Sequence, residues 1–317
     1  MVGMRGLWQD LTDLVLPAEC GGCGRPRTVL CPECRAALSG AVPRRVRPVP
    51  EPSGMPVVHA AAGYGDAVRA VLLAHKERGA LALAGPLGAA LAGAVRAGLV
   101  EAGEWSAQGP VDRSGDRGEG VLLVPVPSAR AVVRARGQDA ARRIALAAAG
   151  ELRRAGVPAR MLAVLRQGRP VVDQSGLNSR QRLDNLVGAL AVVPGGDRLL
   201  RGGRVVLVDD LMTTGASLTE AARAVRAATA RRGTEERPRS SAYGREAEPV
   251  SDGVDVVRAV YAGAAWESRR ERMPQAAEGS RGRAGAEPGM AGVNGGGDVI
   301  RAAVVAAMSN SFEMNRN

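Results

Sequence analysis

The chain has 317 residues, 45% of them hydrophobic but only 2% aromatic, which leaves room for one medium α/β domain with appendages and requires a closely packed core of Ala, Val and Leu. Its 43 basic residues outweigh 32 acidic ones for a net charge of +11, a surplus suited to nucleic acid, phosphorylated metabolites or an acidic partner. No apolar run approaches the ~18 residues of a membrane span, and Asp10 and Asp13 break the N-terminal apolar stretch. Membrane insertion and a signal peptide are therefore not expected, and a cytoplasmic protein is.

In chain order, Leu7, Leu11, Leu14 and Val15 recur at helical spacing and predict a short amphipathic helix. Cys20-x-x-Cys23 and Cys31-x-x-Cys34 follow and complete a segment at residues 1–41. Four thiolates on two tight turns can close a tetrahedral Zn²⁺ site, which would be structural because the protein supplies every ligand. Disulfides are the weaker alternative in a cytoplasmic protein. Arg25, Arg27, Arg35, Arg44, Arg45 and Arg47 flank the cysteines and could meet nucleic-acid phosphates, but no interleaved aromatics offer a stacking platform for single-stranded DNA. Residues 42–56, rich in Pro and Arg, read as an extended linker.

Residues 68–99 predict two helices, the second starting at Gly85-Pro86, and residues 101–120 a surface loop or disordered insert. Residues 121–127 (VLLVPVP) predict a buried strand, 138–150 a helix, 161–165 a second strand and 189–193 a third. Residues 204–208 form the most strand-like run and 217–230 the most helix-like one. Residues 231–297 have the Gly-, Arg-, Glu- and Pro-rich composition of a disordered insertion, and their 11 arginines nearly balance 10 acids, so the basic surplus lies elsewhere. Residues 299–308 regain strand character and should return to the sheet. Strands alternating with helices argue for a parallel sheet, in a domain at 57–230 continued at 298–310.

The chemistry concentrates at residues 205–217, VVLVDDLMTTGAS. A buried strand would present Asp209 and Asp210 at its C-terminal edge, where open α/β sheets bind ligands. Two carboxylates there can accept hydrogen bonds from vicinal ribose hydroxyls and help hold hydrated Mg²⁺. Thr213, Thr214, Gly215 and Ser217 follow at a helix N-terminus, whose N–H groups cradle a phosphate without a lysine. Lys76, the only lysine among the 43 cations, is a separate candidate, because an ammonium differs from a guanidinium in bulk and hydration. His75 and His59 read as packed or surface residues.

This segment resembles the phosphoribosyl-diphosphate (PRPP) fingerprint of type I phosphoribosyltransferases. The four cysteines ahead of it, the stretch 125–138 (PVPSARAVVRARGQ), the loop 165–190 and the last strand extend the resemblance to the ComF-type competence proteins. The resemblance implies a type I phosphoribosyltransferase-like α/β fold, a mostly parallel sheet flanked by helices, with a small N-terminal four-cysteine zinc-binding segment. It implies that Asp209 and Asp210 face the ribose hydroxyls, that Met212, Thr213, Thr214, Gly215, Ala216 and Ser217 wrap the 5-phosphate, and that Mg²⁺ accompanies PRPP. Ser128, Arg130, Arg134, Arg166, Arg169, Gln174, Arg180 and Lys76 would contact pyrophosphate or close as a lid. Two functions follow from the resemblance. One is phosphoribosyl transfer to a nitrogenous acceptor; the other is an interaction role in DNA uptake, with competence proteins or single-stranded DNA as partners. Gly137-Gln138-Asp139 stands where the family often has an aromatic-Asn-Gln sequence, which leaves the acceptor side open.

Overall fold

The structure is a computed structural model that describes residues 19–106, 109–110, 120–169, 179–230 and 300–312. The expected N-terminal helix, Gln174 and the expected insertion at 231–297 lie outside them. In chain order the elements are α1 (Pro32–Ser39), β1 (Arg44–Val46), β2 (Val57–Gly63), α2 (Asp66–Glu77), a 3-10 turn (Leu81–Leu83), α3 (Ala84–Glu101), β3 (Trp105–Ser106), β4 (Gly109–Pro110), β5 (Val121–Pro125), α4 (Arg130–Arg136), α5 (Ala140–Arg154), β6 (Ala159–Met161), β7 (Leu165–Gln167), α6 (Ser179–Leu186), β8 (Leu190–Val192), α7 (Gly196–Leu200), β9 (Arg204–Met212), α8 (Ala216–Ala230) and β10 (Arg301–Ala307).

The main sheet has six strands in the order β1-β2-β10-β9-β5-β6. All neighbours pair in parallel except β1, which runs antiparallel to β2. The continuous apolar runs follow from burial of both faces. Leu123, Val206, Val208, Ala303 and Val305 join one core cluster with α2, α3 and α5, while Leu122, Val124, Leu207, Ala302 and Val304 join another with α8 and the β7–β8 hairpin. Residues 301–307 return to the middle of the sheet, between β2 and β9, so the strand farthest along the described chain completes its centre.

Short side chains let the layers approach closely. A Cβ on Gly88 of α3 would lie 2.5 Å from the Ala147 Cβ of α5, so the two helices cross at glycine-to-alanine distance. The stretch 81–101 contains a window of mean hydropathy 1.5, long and apolar enough by length and composition to cross a bilayer, but 56% of that window is buried in the core.

Several boundaries differ from expectation. Residues 44–46, inside the expected linker, form an edge strand because Arg44 and Val46 register against Ala60 and Val58. The run at 161–165 is not one strand: β6 ends at Met161, and Leu165 begins β7, which pairs with β8 in a separate hairpin. Helix α5 starts at Ala140 because the Asp139 carboxylate accepts from the Arg142 N–H as its N-cap. The stretch after α3 contains the short pair β3–β4.

Candidate functional site

The sheet grows in one direction from β5 to β6 and in the other from β5 to β9 and β10, so its direction reverses between β5 and β9. A crevice at such a reversal, beyond the C-terminal strand ends, is the ligand position of open α/β sheets. Strand β9 is longer than the sequence suggested. Its pairing with β5 stops at Val208, where the Val126 N–H donates to the Val208 carbonyl at 2.9 Å and Pro127 has no N–H to continue. On its other side β9 stays paired with β10 as far as Met212. Asp209 and Asp210 therefore belong to a strand anchored on one side and open on the other.

Asp210 is buried and follows Val206 and Val208 onto the face covered by α2. There its Oδ2 lies 2.6 Å from Lys76 Nζ, in the last turn of α2. Burial works against the Lys76 ammonium, but the Asp210 and Asp209 charges outweigh it and raise its pKa. Asp209 Oδ1 accepts from the Asp210 N–H at 2.9 Å. Burial, then the Asp210 charge, raises the Asp209 pKa to about 8 against the opposing pull of Lys76. Lys76 Nζ and the two Asp side chains thus form one cluster at the strand edge, in which burial and the neighbouring charge favour a proton on Asp209.

The loop beyond β9 turns at Thr213, Thr214 and Gly215 into α8. Gly215 has φ +75°, and a Cβ there would stand 2.8 Å from Met55 Sδ and 3.3 Å from Pro48 Cγ. Met212 and Ala216 are buried, Thr213 is exposed, and Thr214 and Ser217 are half-buried. The phosphate-loop candidates thus surround one helix N-terminus.

Ser128, Arg130, Arg134 and Arg166 line one groove of about 360 Å³, and Arg130, Arg134, Arg166 and Arg169 an adjoining one of about 500 Å³. Arg169 also donates to the Asn185 and Val187 carbonyls at 2.9 and 2.7 Å, tying the end of the hairpin to α6. Arg180 lies on α6, while Gln174 falls outside the described residues.

Sequence reasoning missed three supports of the site. Gln138 Nε2 donates to the His75 carbonyl at 2.8 Å, and Arg136 pairs with Glu77, so the loop beyond β5 is tied to the helix end that carries Lys76. Met55 and Pro48 of the expected linker cover Gly215. Neither tie has a spacing signal, since the partners lie roughly sixty or more residues apart. Both histidines are buried: His75 Nδ1 lies 3.2 Å from the Ala80 carbonyl and His59 Nε2 2.7 Å from Glu101.

The four cysteine sulfurs lie within 4.8 Å of one another, and no pair is bonded. Tetrahedral Zn–S bonds of about 2.3 Å place sulfurs ~3.8 Å apart, and Cys23 and Cys31 stand at 3.6 Å. Burial would raise the Cys20 pKa, but backbone N–H groups of Cys31, Cys23 and Gly22 lower it to about 6, while burial and the neighbouring sulfurs raise that of Cys34. The cluster fits a structural zinc ion.

A scan against protein-family models finds no match for the chain, and a search of curated proteins finds none either.

Proposed function

We propose that this protein binds PRPP with Mg²⁺ at the C-terminal edge of β9 and transfers its phosphoribosyl group to a nitrogenous acceptor, as a ComF-like member of the type I phosphoribosyltransferases. The observation that carries this reading is the continuous arrangement of an acidic pair, a Thr-Thr-Gly turn and a helix N-terminus at the sheet's reversal point. Asp209 and Asp210 would hold the two ribose hydroxyls. The N–H groups and hydroxyls of Thr213, Thr214 and Ser217 would hold the 5-phosphate. Ser128, Arg130 and Arg134, on the segment leaving β5 beside Val208, would take the pyrophosphate, with Arg166 lining the same groove. Mg²⁺ would supply positive charge to the departing pyrophosphate.

Transfer breaks the anomeric C–O bond to pyrophosphate and forms a C–N bond to the acceptor. Positive charge develops on the sugar, and no protein nucleophile is required. The carboxylate of Asp210 and the helix N-terminus act as fixed charges for the ribose and its phosphate, so the protein's contribution is positioning. Phosphorus NMR of PRPP with Mg²⁺ and a panel of nitrogenous acceptors tests the reading. Acceptor-dependent appearance of pyrophosphate is expected, and its absence with every acceptor would contradict transfer while leaving binding to be measured separately.

A further inference from the structure

The four-cysteine segment is packed on the same helix that carries Lys76. A Cβ on Gly22 would stand 2.6 Å from Cys34 Sγ and 3.3 Å from Val71 Cγ2 of α2, so the first cysteine turn lies directly against both. A Cβ on Gly21 would meet Leu83 Cδ1 at 2.6 Å. Arg78, just beyond α2, donates to the Gly21 and Ala70 carbonyls at 3.4 Å each. Cys20, Cys31 and Cys34 share a core cluster with Val71, Leu72 and Leu83.

Helix α2 has little local capping of its own. It spans 12 residues, has no side-chain N-cap bond at Gly65, and is followed by Gly79 at φ +67°. A helix of that length takes its stability from packing. Its packing is the cysteine turn on one side, the main core through Val68, Leu72 and Ala74, and the ties from Arg136 and Gln138 at its C-terminal end. The contacts run from the cysteine sulfurs through Gly22 to Val71 of α2, the helix that also carries Lys76, and from Lys76 to Asp210 at 2.6 Å.

We propose that the metal-loaded cysteine segment holds Lys76 on Asp210, so that metal loss releases the ammonium from the acidic pair and changes the charge of the ligand edge. A segment this small is ordered by its metal, and binding energy at the four sulfurs is folding energy for the turn. Without it, Val71 and Leu83 lose the wall formed by Gly21 and Gly22. The meaning of this coupling for ligand binding rests on the phosphoribosyl reading, since it names how that site is regulated; the coupling itself does not.

Lys76 is the only lysine in the chain, so amine acylation read by peptide mass spectrometry reports on one side chain, with the N-terminal amine as internal reference. Acylation follows the free-amine fraction, about tenfold per pKa unit. In the zinc-loaded full-length protein, Lys76 is expected to acylate several-fold more slowly than in Asp210→Asn. Removing zinc should raise the rate toward that of the variant while the far-ultraviolet circular dichroism is retained, and restoring zinc should reverse it. Leu83→Ala, which loosens the contact with Gly21 but keeps all four cysteines, covers the case in which zinc removal unfolds the chain; it should acylate faster at unchanged zinc content. Equal rates with and without zinc, or in Leu83→Ala where apo protein unfolds, would overturn the coupling. An Asp210→Asn rate no higher than wild type would overturn the contact beneath it. No ligand enters this readout. Normal coupling without PRPP binding therefore counts against the phosphoribosyl reading alone, and normal PRPP binding with flat Lys76 rates against the coupling alone.

Discussion

Asp209 keeps its proton into the neutral range because burial and the Asp210 charge both disfavour a second negative charge there. Its folded pKa of about 8 lies above the unfolded value of ~3.9, so the folded chain binds the extra proton between those limits. The associated stability is fully present below about pH 4 and is lost as pH rises through 8. Asp209→Asn, which cannot ionise, should gain on wild type as pH rises. Thermal melts should show the variant's advantage over wild type growing from pH 4 to pH 9 and vanishing only at about pH 4 and below; parallel curves across that range would contradict the assignment. Lys76 was legible as the sole lysine, but its partner was not, because the contact with Asp210 spans residues far apart in sequence. Gly215 was legible as a turn leading into a helix, whereas Met55 above it carried no signal, since nothing in its neighbourhood is periodic.

Helices and strands are joined here by small residues and a few buried polar ties. The Glu220 carboxylate of α8 is buried, accepts from the Leu190 N–H of β8 at 2.9 Å, and pairs with Arg223 at 2.7 Å. Glu220→Ala would leave a buried N–H unsatisfied and should cost about 1–3 kcal/mol of unfolding free energy; Glu220→Gln, which keeps an acceptor, should cost less, as denaturant titration would show. Gly88→Val would force α3 and α5 apart where no Cβ fits, and should destabilise the chain by about 1–3 kcal/mol. Apolar periodicity made α2, α3 and β5 readable because each is buried along its whole apolar face. The split between β6 and β7 was not readable: residues 161–165 are apolar throughout, and only their partners decide that Met161 belongs to the main sheet and Leu165 to the hairpin. The carboxylates likewise read as the end of β9, although β10 continues the pairing to Met212.

Across the described residues, the sheet's reversal point gathers elements from widely separated parts of the chain: α2 with Lys76, the segment beyond β5 with its arginines, and β9 with the acidic pair. The composition foresaw the Ala-, Val- and Leu-built layers, and the alternation of strands and helices foresaw a mostly parallel sheet, but the central place of β10 depends on topology that composition does not encode. The cysteine cluster should bind one zinc ion per chain, and metal analysis of Cys34→Ser should show its loss together with a lower melting temperature. The most direct measurement of the central claim is calorimetric titration of PRPP and Mg²⁺ into the zinc-loaded protein and into its Asp209→Asn/Asp210→Asn variant. Saturable binding in the wild type that disappears in a folded variant is the predicted result. No binding by the folded wild type, or equal binding by both proteins, would contradict a phosphoribosyl site at the end of β9.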